Sequence, residues 1–286
     1  MALVLLLASA SVQAQTQLNW LGDYATANSY MADLAALWES SGEGSVVLRI
    51  GTATEAMAQV AGDNVDMGGS SRAARTLDRT ERRVAMYPVV WDALVAVTHR
   101  DNQIRNINLD QLKGIYTGSI SNWSQLGGDD QPINMMIHAD DLEGIDYNIR
   151  QLLFADPQRT LVNSRQLPNT QLLIEAVSAD PNSIAVTTYS SARRQPLNIL
   201  MFENVAANYT AIAEGDYLLY IPLYVAIREN SSKRREVRDF LRFAAGPQAK
   251  RVLRRNGVVP YTEGLTLVSK QLERDDFLQR NIAASQ

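Results

Sequence analysis

Short apolar runs alternate with helically spaced apolar positions through the first third of the chain. Leu18–Leu21, Val46–Ile50 and Met67–Gly69 read as buried strands, and Tyr30, Leu34, Leu37 and Trp38 recur at helical spacing between the first two. Strand, helix and strand with small residues at the turns predict βαβ units and an α/β class. Ala93–Thr98 is a near-continuous apolar run after Tyr87-Pro88, and Leu218–Ile227 is a second one that contains Pro222. These two predict a pair of strands that cross, side by side, between two lobes. Between them the pattern predicts a helix near Leu109–Tyr116, a strand at Ile133–Ile137, a helix near Glu143–Phe154 and a strand at Ile184–Thr188. Ser231–Ala245 and Pro247–Asn256 read as helices, with Gly246-Pro247 stopping one and starting the next. The expected organisation is lobe 1 from residues 15–92 plus 228–286 and lobe 2 from residues 93–227.

Composition agrees with two lobes. The 286 residues are 46% hydrophobic, enough for a sizeable core and longer than a typical single domain. A formal charge of -4 gives no electrostatic footprint for nucleic acid, and the basic clusters Lys233-Arg234-Arg235 and Arg254-Arg255 read as solvated helix faces. Cysteine is absent, which excludes thiol nucleophiles, disulfides and Cys-type zinc sites. Ala2–Ala10 is apolar but too short to span a bilayer, and Val12-Gln13-Ala14 places small residues as at a leader cleavage site. The expectation is a signal peptide at 1–14, although it has no Lys or Arg ahead of the apolar run, and export to the periplasm with a mature start near Gln15.

The motifs carry more information than the composition. Gly51-Thr52-Ala53-Thr54, Asp66-Met67-Gly68-Gly69-Ser70-Ser71-Arg72, Leu109-Asp110-Gln111-Leu112 and Gly118-Ser119-Ile120-Ser121-Asn122-Trp123 follow in order. Tyr220-Ile221-Pro222-Leu223-Tyr224, Phe240-Leu241-Arg242-Phe243 and Gly257-Val258-Val259-Pro260 come later. On their own, strands ending in small hydroxyl residues present N–H groups and hydroxyls to a solute at sheet edges and helix N-termini. The series as a whole resembles the periplasmic phosphate-binding proteins of bacterial ABC importers. That resemblance implies a type II periplasmic binding protein fold, with two mixed sheets flanked by helices and joined by two crossing strands that permit hinge closure. It also implies a small-molecule or anionic solute, an ABC permease in the inner membrane as partner, a monomer, and neither enzymatic activity, cofactor nor metal.

By the resemblance, the anion would be held at four loops. The first falls on Asp23-Tyr24-Ala25-Thr26, of which only Thr26 matches. The second falls on Gly51-Thr52-Ala53 with Thr54, and the third is intact as Ser70-Ser71-Arg72. The fourth departs: the family's arginine position is His138, and its Ser-Gly-Thr turn is replaced within Ala139-Asp140-Asp141-Leu142-Glu143-Gly144. The expected ligand-binding residues are therefore Thr26, Thr52, Thr54, Ser70, Ser71, Arg72 and His138. Asp23, Glu55, Asp140, Asp141 and Glu143 would crowd the same cleft with negative charge, which predicts a solute other than phosphate held in the family's way. The plainer alternatives stay open. The hydroxyls could be turn and cap residues, Arg72 a salt-bridge partner, and the acids of the fourth loop helix caps.

Two other classes are weighed against solute binding. An enzyme is disfavoured because Gly-x-Ser-x-Gly, phosphate-loop and His-Glu-x-x-His motifs are absent. A metal site at His138 with Asp140, Asp141 and Glu143 would rest on a single histidine. The other class is a binding-protein scaffold that has given up its small ligand and serves as an envelope interaction or sensor partner.

Overall fold

The computed structural model describes residues 16–140, 142, 144–161 and 164–284. The expected leader, Asp141 and Glu143 lie outside the described residues. Strand β1 (Thr16–Gly22) sits between β2 (Gly44–Ile50) and β3 (Met67–Ser70), all parallel. A continuous helical segment, 24–40, joins the first two, with a π-helical turn at Ala27–Met31. Helix Ala53–Ala61 joins β2 to β3 and buries Ala56, Met57 and Val60. The βαβ order of the apolar runs is thus met, but Val46–Ile50 is not the buried strand expected: β2 is the edge of the sheet, with Val47 and Ile50 exposed.

The long strand β4 (Ala85–His99) connects two groups of strands. Its first part, residues 85–93, pairs antiparallel with β11 (Tyr220–Ile227), which also pairs with β3. Its second part, residues 94–98, pairs antiparallel with β8 (Ser183–Thr188), and β8 leads through parallel pairing to β6 (Asn134–His138) and then β7 (Ser164–Leu167). Short strands β9 (Leu197–Ile199) and β12 (Val259–Pro260) add to β4, while β5 (Asn106–Ile107) pairs with β10 (Met201–Phe202). Two mixed sheets therefore share one strand.

This corrects one expectation. Ala93–Thr98 and Leu218–Ile227 do not run side by side: they meet only where Ala93 pairs with Tyr220 and the Leu94 N–H donates to the Leu219 carbonyl. The partner of β11 is the preceding stretch, 85–93, which Pro88 disguises as a loop. Pro88 is tolerated because it lies at the register shift between Leu223 and Tyr224, where the ladder is already interrupted.

Helix Arg234–Ala244 packs on the β1–β3 side, where Phe240 and Phe243 meet Trp38 edge-on at 5.6 and 4.9 Å. Its basic face is exposed, with Arg234 and Arg238 both paired to Glu229. The final helix, Thr266–Ala284, lies against helix Gly144–Phe154 and helix Tyr209–Glu214, so it covers elements of the middle segment.

Where β4 changes partners, Asp92 is fully buried. Its carboxylate accepts from the Ala93 N–H at 2.8 Å, the Ser190 hydroxyl at 2.5 Å and the Ser190 N–H at 3.3 Å. Burial outweighs those bonds and pushes its pKa up to about 6. Since the unfolded value is about 3.9, the folded state holds the proton more tightly, and this group adds stability as pH falls from 7 through 6 towards 4. Asp92→Asn should therefore remove about 2–3 kcal/mol of that pH dependence and be neutral or stabilising at pH 7. Urea denaturation of both proteins at pH 7 and pH 4 checks it; equal pH dependence in the two proteins would contradict it.

Candidate functional site

The end of β1, the end of β3 and the start of helix Gly144–Phe154 converge. Asp23 caps the helical segment that follows β1 and is fully buried. One carboxylate oxygen accepts from the Thr26 N–H at 2.8 Å and the Thr26 hydroxyl at 2.7 Å. The other accepts from the Ser71 N–H and the Ser71 hydroxyl, both at 2.7 Å. Those donors come from the first and third expected loops. They are engaged by a carboxylate of the protein itself, and each such charge-assisted bond is worth roughly 1.5–3 kcal/mol.

Arg72 is also satisfied internally. Its guanidinium forms a two-pronged pair with Glu81, with both N···O distances 2.9 Å, and its Nε donates to the Leu142 carbonyl at 2.9 Å. A weaker bond reaches the Thr54 hydroxyl at 3.3 Å, and the guanidinium lies 5.6 Å from the Tyr147 ring centre. Burial alone would raise the Glu81 pKa, but hydrogen bonds from Arg72 and Arg75 overcome it and hold the carboxyl down at about 2. Glu81 is the residue that sequence reasoning missed. The signal was an acid among the arginines of the segment 72–83, without any pattern to say which arginine it would meet.

The remaining expected residues separate. Ser70 is buried, with its hydroxyl donating to the Arg72 carbonyl at 2.7 Å and accepting from the Arg72 N–H at 3.2 Å. Thr52 is the N-cap of helix Ala53–Ala61, accepting from the Glu55 N–H at 3.1 Å. His138 is buried at the end of β6, with Nδ1 2.7 Å from Asp146 and Nε2 2.9 Å from the Thr170 hydroxyl. Both ring nitrogens are thus committed within the β6 side of the molecule. Asp140 accepts from the Leu142 N–H at 2.9 Å, a local turn of the kind that cap residues make. Among the described residues no group of three His, Asp or Glu side chains is arranged to hold a metal ion.

The seam between the two strand groups is closed at this point. Asn148 Nδ2 donates to the Ser71 carbonyl at 2.7 Å and to the Gly144 carbonyl at 2.6 Å. Gly144 packs so tightly that a Cβ there would lie 2.1 Å from the Ser71 hydroxyl oxygen. Only glycine admits this approach. A phosphate at the Thr26–Ser71 donors would have to displace the Asp23 carboxylate or sit within about 4 Å of it, at a cost near 4 kcal/mol for an effective dielectric of 20.

The family model of the PBP superfamily domain matches residues 10–248. The chain belongs to that family. The phosphate-binding protein PstS of Bacillus subtilis (strain 168) is 22% identical over 229 residues, covering 79% of this chain and 74% of that protein. The PstS of Borreliella burgdorferi is 27% identical over 176 residues, covering 58% of this chain and 62% of its own length. In fold, the chain is similar to a Clostridium perfringens protein described as a phosphate ABC transporter substrate-binding protein and solved with bound phosphate, with a TM-score of 0.76 at 18% identity over 86% of this chain and 99% of that one. The type II periplasmic binding protein fold follows from this likeness. The PBP superfamily match ends ahead of helix Thr266–Ala284, which is therefore outside the matched domain.

Proposed function

We propose that this PBP superfamily member is the solute-binding component of an ABC importer, exported to the periplasm, non-enzymatic, monomeric, and working with an inner-membrane permease. Its solute is not inorganic phosphate held as in its named relatives. The observation that carries this reading is the Asp23 carboxylate on the Thr26 and Ser71 donors. Family membership supports the binding role, and the engaged Arg72 and His138 support the exclusion of phosphate. Lobes of 15–92 plus 228–286 and 93–227 would then close about the point where β4 changes partners.

A second reading, a scaffold without a small ligand, is favoured by the closed seam at Gly144 and Ser71. Thermal unfolding of the mature protein against anions, amines, amino acids and polyols separates the two, since specific binding stabilises by RT ln(1 + [L]/Kd). One solute class should raise the midpoint in a concentration-dependent way while phosphate does not. A flat response to every class would favour the scaffold.

A further inference from the structure

With the Thr26–Ser71 donors taken, the unfilled space along the same seam lies elsewhere. A cavity of about 160 Å³ opens between helix Gly144–Phe154, strand β11 and helix Thr266–Ala284. Its volume is of the order of the roughly 150 Å³ cavity that admits a benzene-sized guest. Leu152, Ile221, Pro222 and Leu278 supply an apolar part of its wall. Arg274 and Asp275 of the final helix supply the charged part together with Arg72, whose charge Glu81 already balances.

The charged part is firmly held. Arg274 is 5% exposed, donates from Nη1 to the Tyr220 carbonyl, and lies 4.5 Å from the centre of the Tyr220 ring. Its Nε and Nη2 both donate to the same carboxylate oxygen of Asp275, at 2.9 and 2.7 Å. The other oxygen of Asp275 has no hydrogen bond among the described residues, and Asp275 is half-buried. The wall therefore offers a cation and an acceptor side by side, with balanced charge, above an apolar surface. Asn148 adds a side-chain carbonyl oxygen, since its amide nitrogen makes the bonds to the Ser71 and Gly144 carbonyls.

We infer that this cavity is a binding site for a small zwitterion with a short apolar body, such as an aliphatic α-amino acid, its carboxylate facing Arg274 and its ammonium facing Asp275. Balanced charge disfavours a simple anion or a simple cation, either of which would leave one member of the Arg274–Asp275 pair uncompensated. The apolar wall favours an aliphatic body over a polyol. The site draws on a helix that lies beyond the residues the family model matches. The inference deepens the solute-binding reading and rests on it.

Isothermal titration of the mature chain with L-alanine and L-valine, beside phosphate, putrescine and glycerol, tests it. Saturable one-to-one binding of L-alanine or L-valine is expected, and not of the other probes. Gln271→Trp, which fills the cavity from a half-buried position, should abolish that binding without lowering the thermal midpoint, and Asp275→Asn should weaken it at least tenfold. Binding of neither amino acid, or binding that survives Gln271→Trp, overturns the inference. If putrescine or glycerol binds instead, the solute-binding reading stands without this site. If no probe binds and the broader thermal panel is also flat, that reading falls with it.

Discussion

Replacing Asp23 by alanine is expected to convert a phosphate-indifferent protein into one whose stability depends on oxyanions. The substitution strips the acceptor from the Thr26 and Ser71 N–H groups and from the Ser71 hydroxyl, all buried. Unsatisfied buried donors cost about 1–3 kcal/mol each, so without added anion the loss should be about 3–5 kcal/mol. An oxyanion can restore those bonds because the vacated space faces N–H groups at a helix start and a strand end. Thermal unfolding of Asp23→Ala should rise with millimolar phosphate or sulfate, while the unmodified protein stays flat. An equal response of both proteins would show that Asp23 does not stand in the anion's place.

The second large effect is expected at Glu81. Glu81→Ala leaves the Arg72 guanidinium, 1% exposed, without its carboxylate. Breaking a buried pair by removing one partner costs about 3–5 kcal/mol. The Arg72–Leu142 and Asn148–Ser71 hydrogen bonds cross the seam from the same loop, so loosening should spread there. Hydrogen exchange of 70–81 and 144–150 should accelerate together. The pH dependence has a definite sign. The folded pKa of about 2 lies below the ordinary value near 4.3, so this stabilisation is complete above that value and is lost as pH falls through 2. A variant as stable as the unmodified protein, with unchanged exchange, would mean that the pair contributes nothing to the closed seam.

Much of the fold was legible because apolar periodicity and breaker residues specify local structure. Leu109–Thr117 and Asn134–His138 fall within a residue or so of their expected places. The helix pair split at Gly246-Pro247 is found as Arg234–Ala244 and Pro247–Arg255. Helices Thr170–Ala179, Tyr209–Glu214 and Thr266–Ala284 escaped, and so did two strand features. The first half of β4 was hidden by Pro88, whose strand position depends on the bulge that leaves the neighbouring Val89 of β4 unpaired. Strand β7, Ser164–Leu167, is polar and half exposed, so no apolar alternation marks it.

The site was legible as a set of loops, and much less as a set of partners. Hydroxyls at strand ends and the Asp23 position could be read from the chain. Which donors Asp23 would take could not, because Ser71 is 48 residues away and the contact depends on β1 pairing with β3. The same holds for Arg72 with Glu81 and for His138 with Asp146, pairs whose geometry is set by loop and helix packing. Gly144 could have been noticed as the one glycine of an acidic loop. Its role appears only when the Ser71 hydroxyl is seen against it.

The central claim is that the protein's own carboxylate holds the donors that would otherwise take an oxyanion. Isothermal titration of the unmodified protein with inorganic phosphate at pH 7 tests it most directly. The account predicts no binding tighter than roughly millimolar, whereas a micromolar dissociation constant, near -8 kcal/mol, would contradict it.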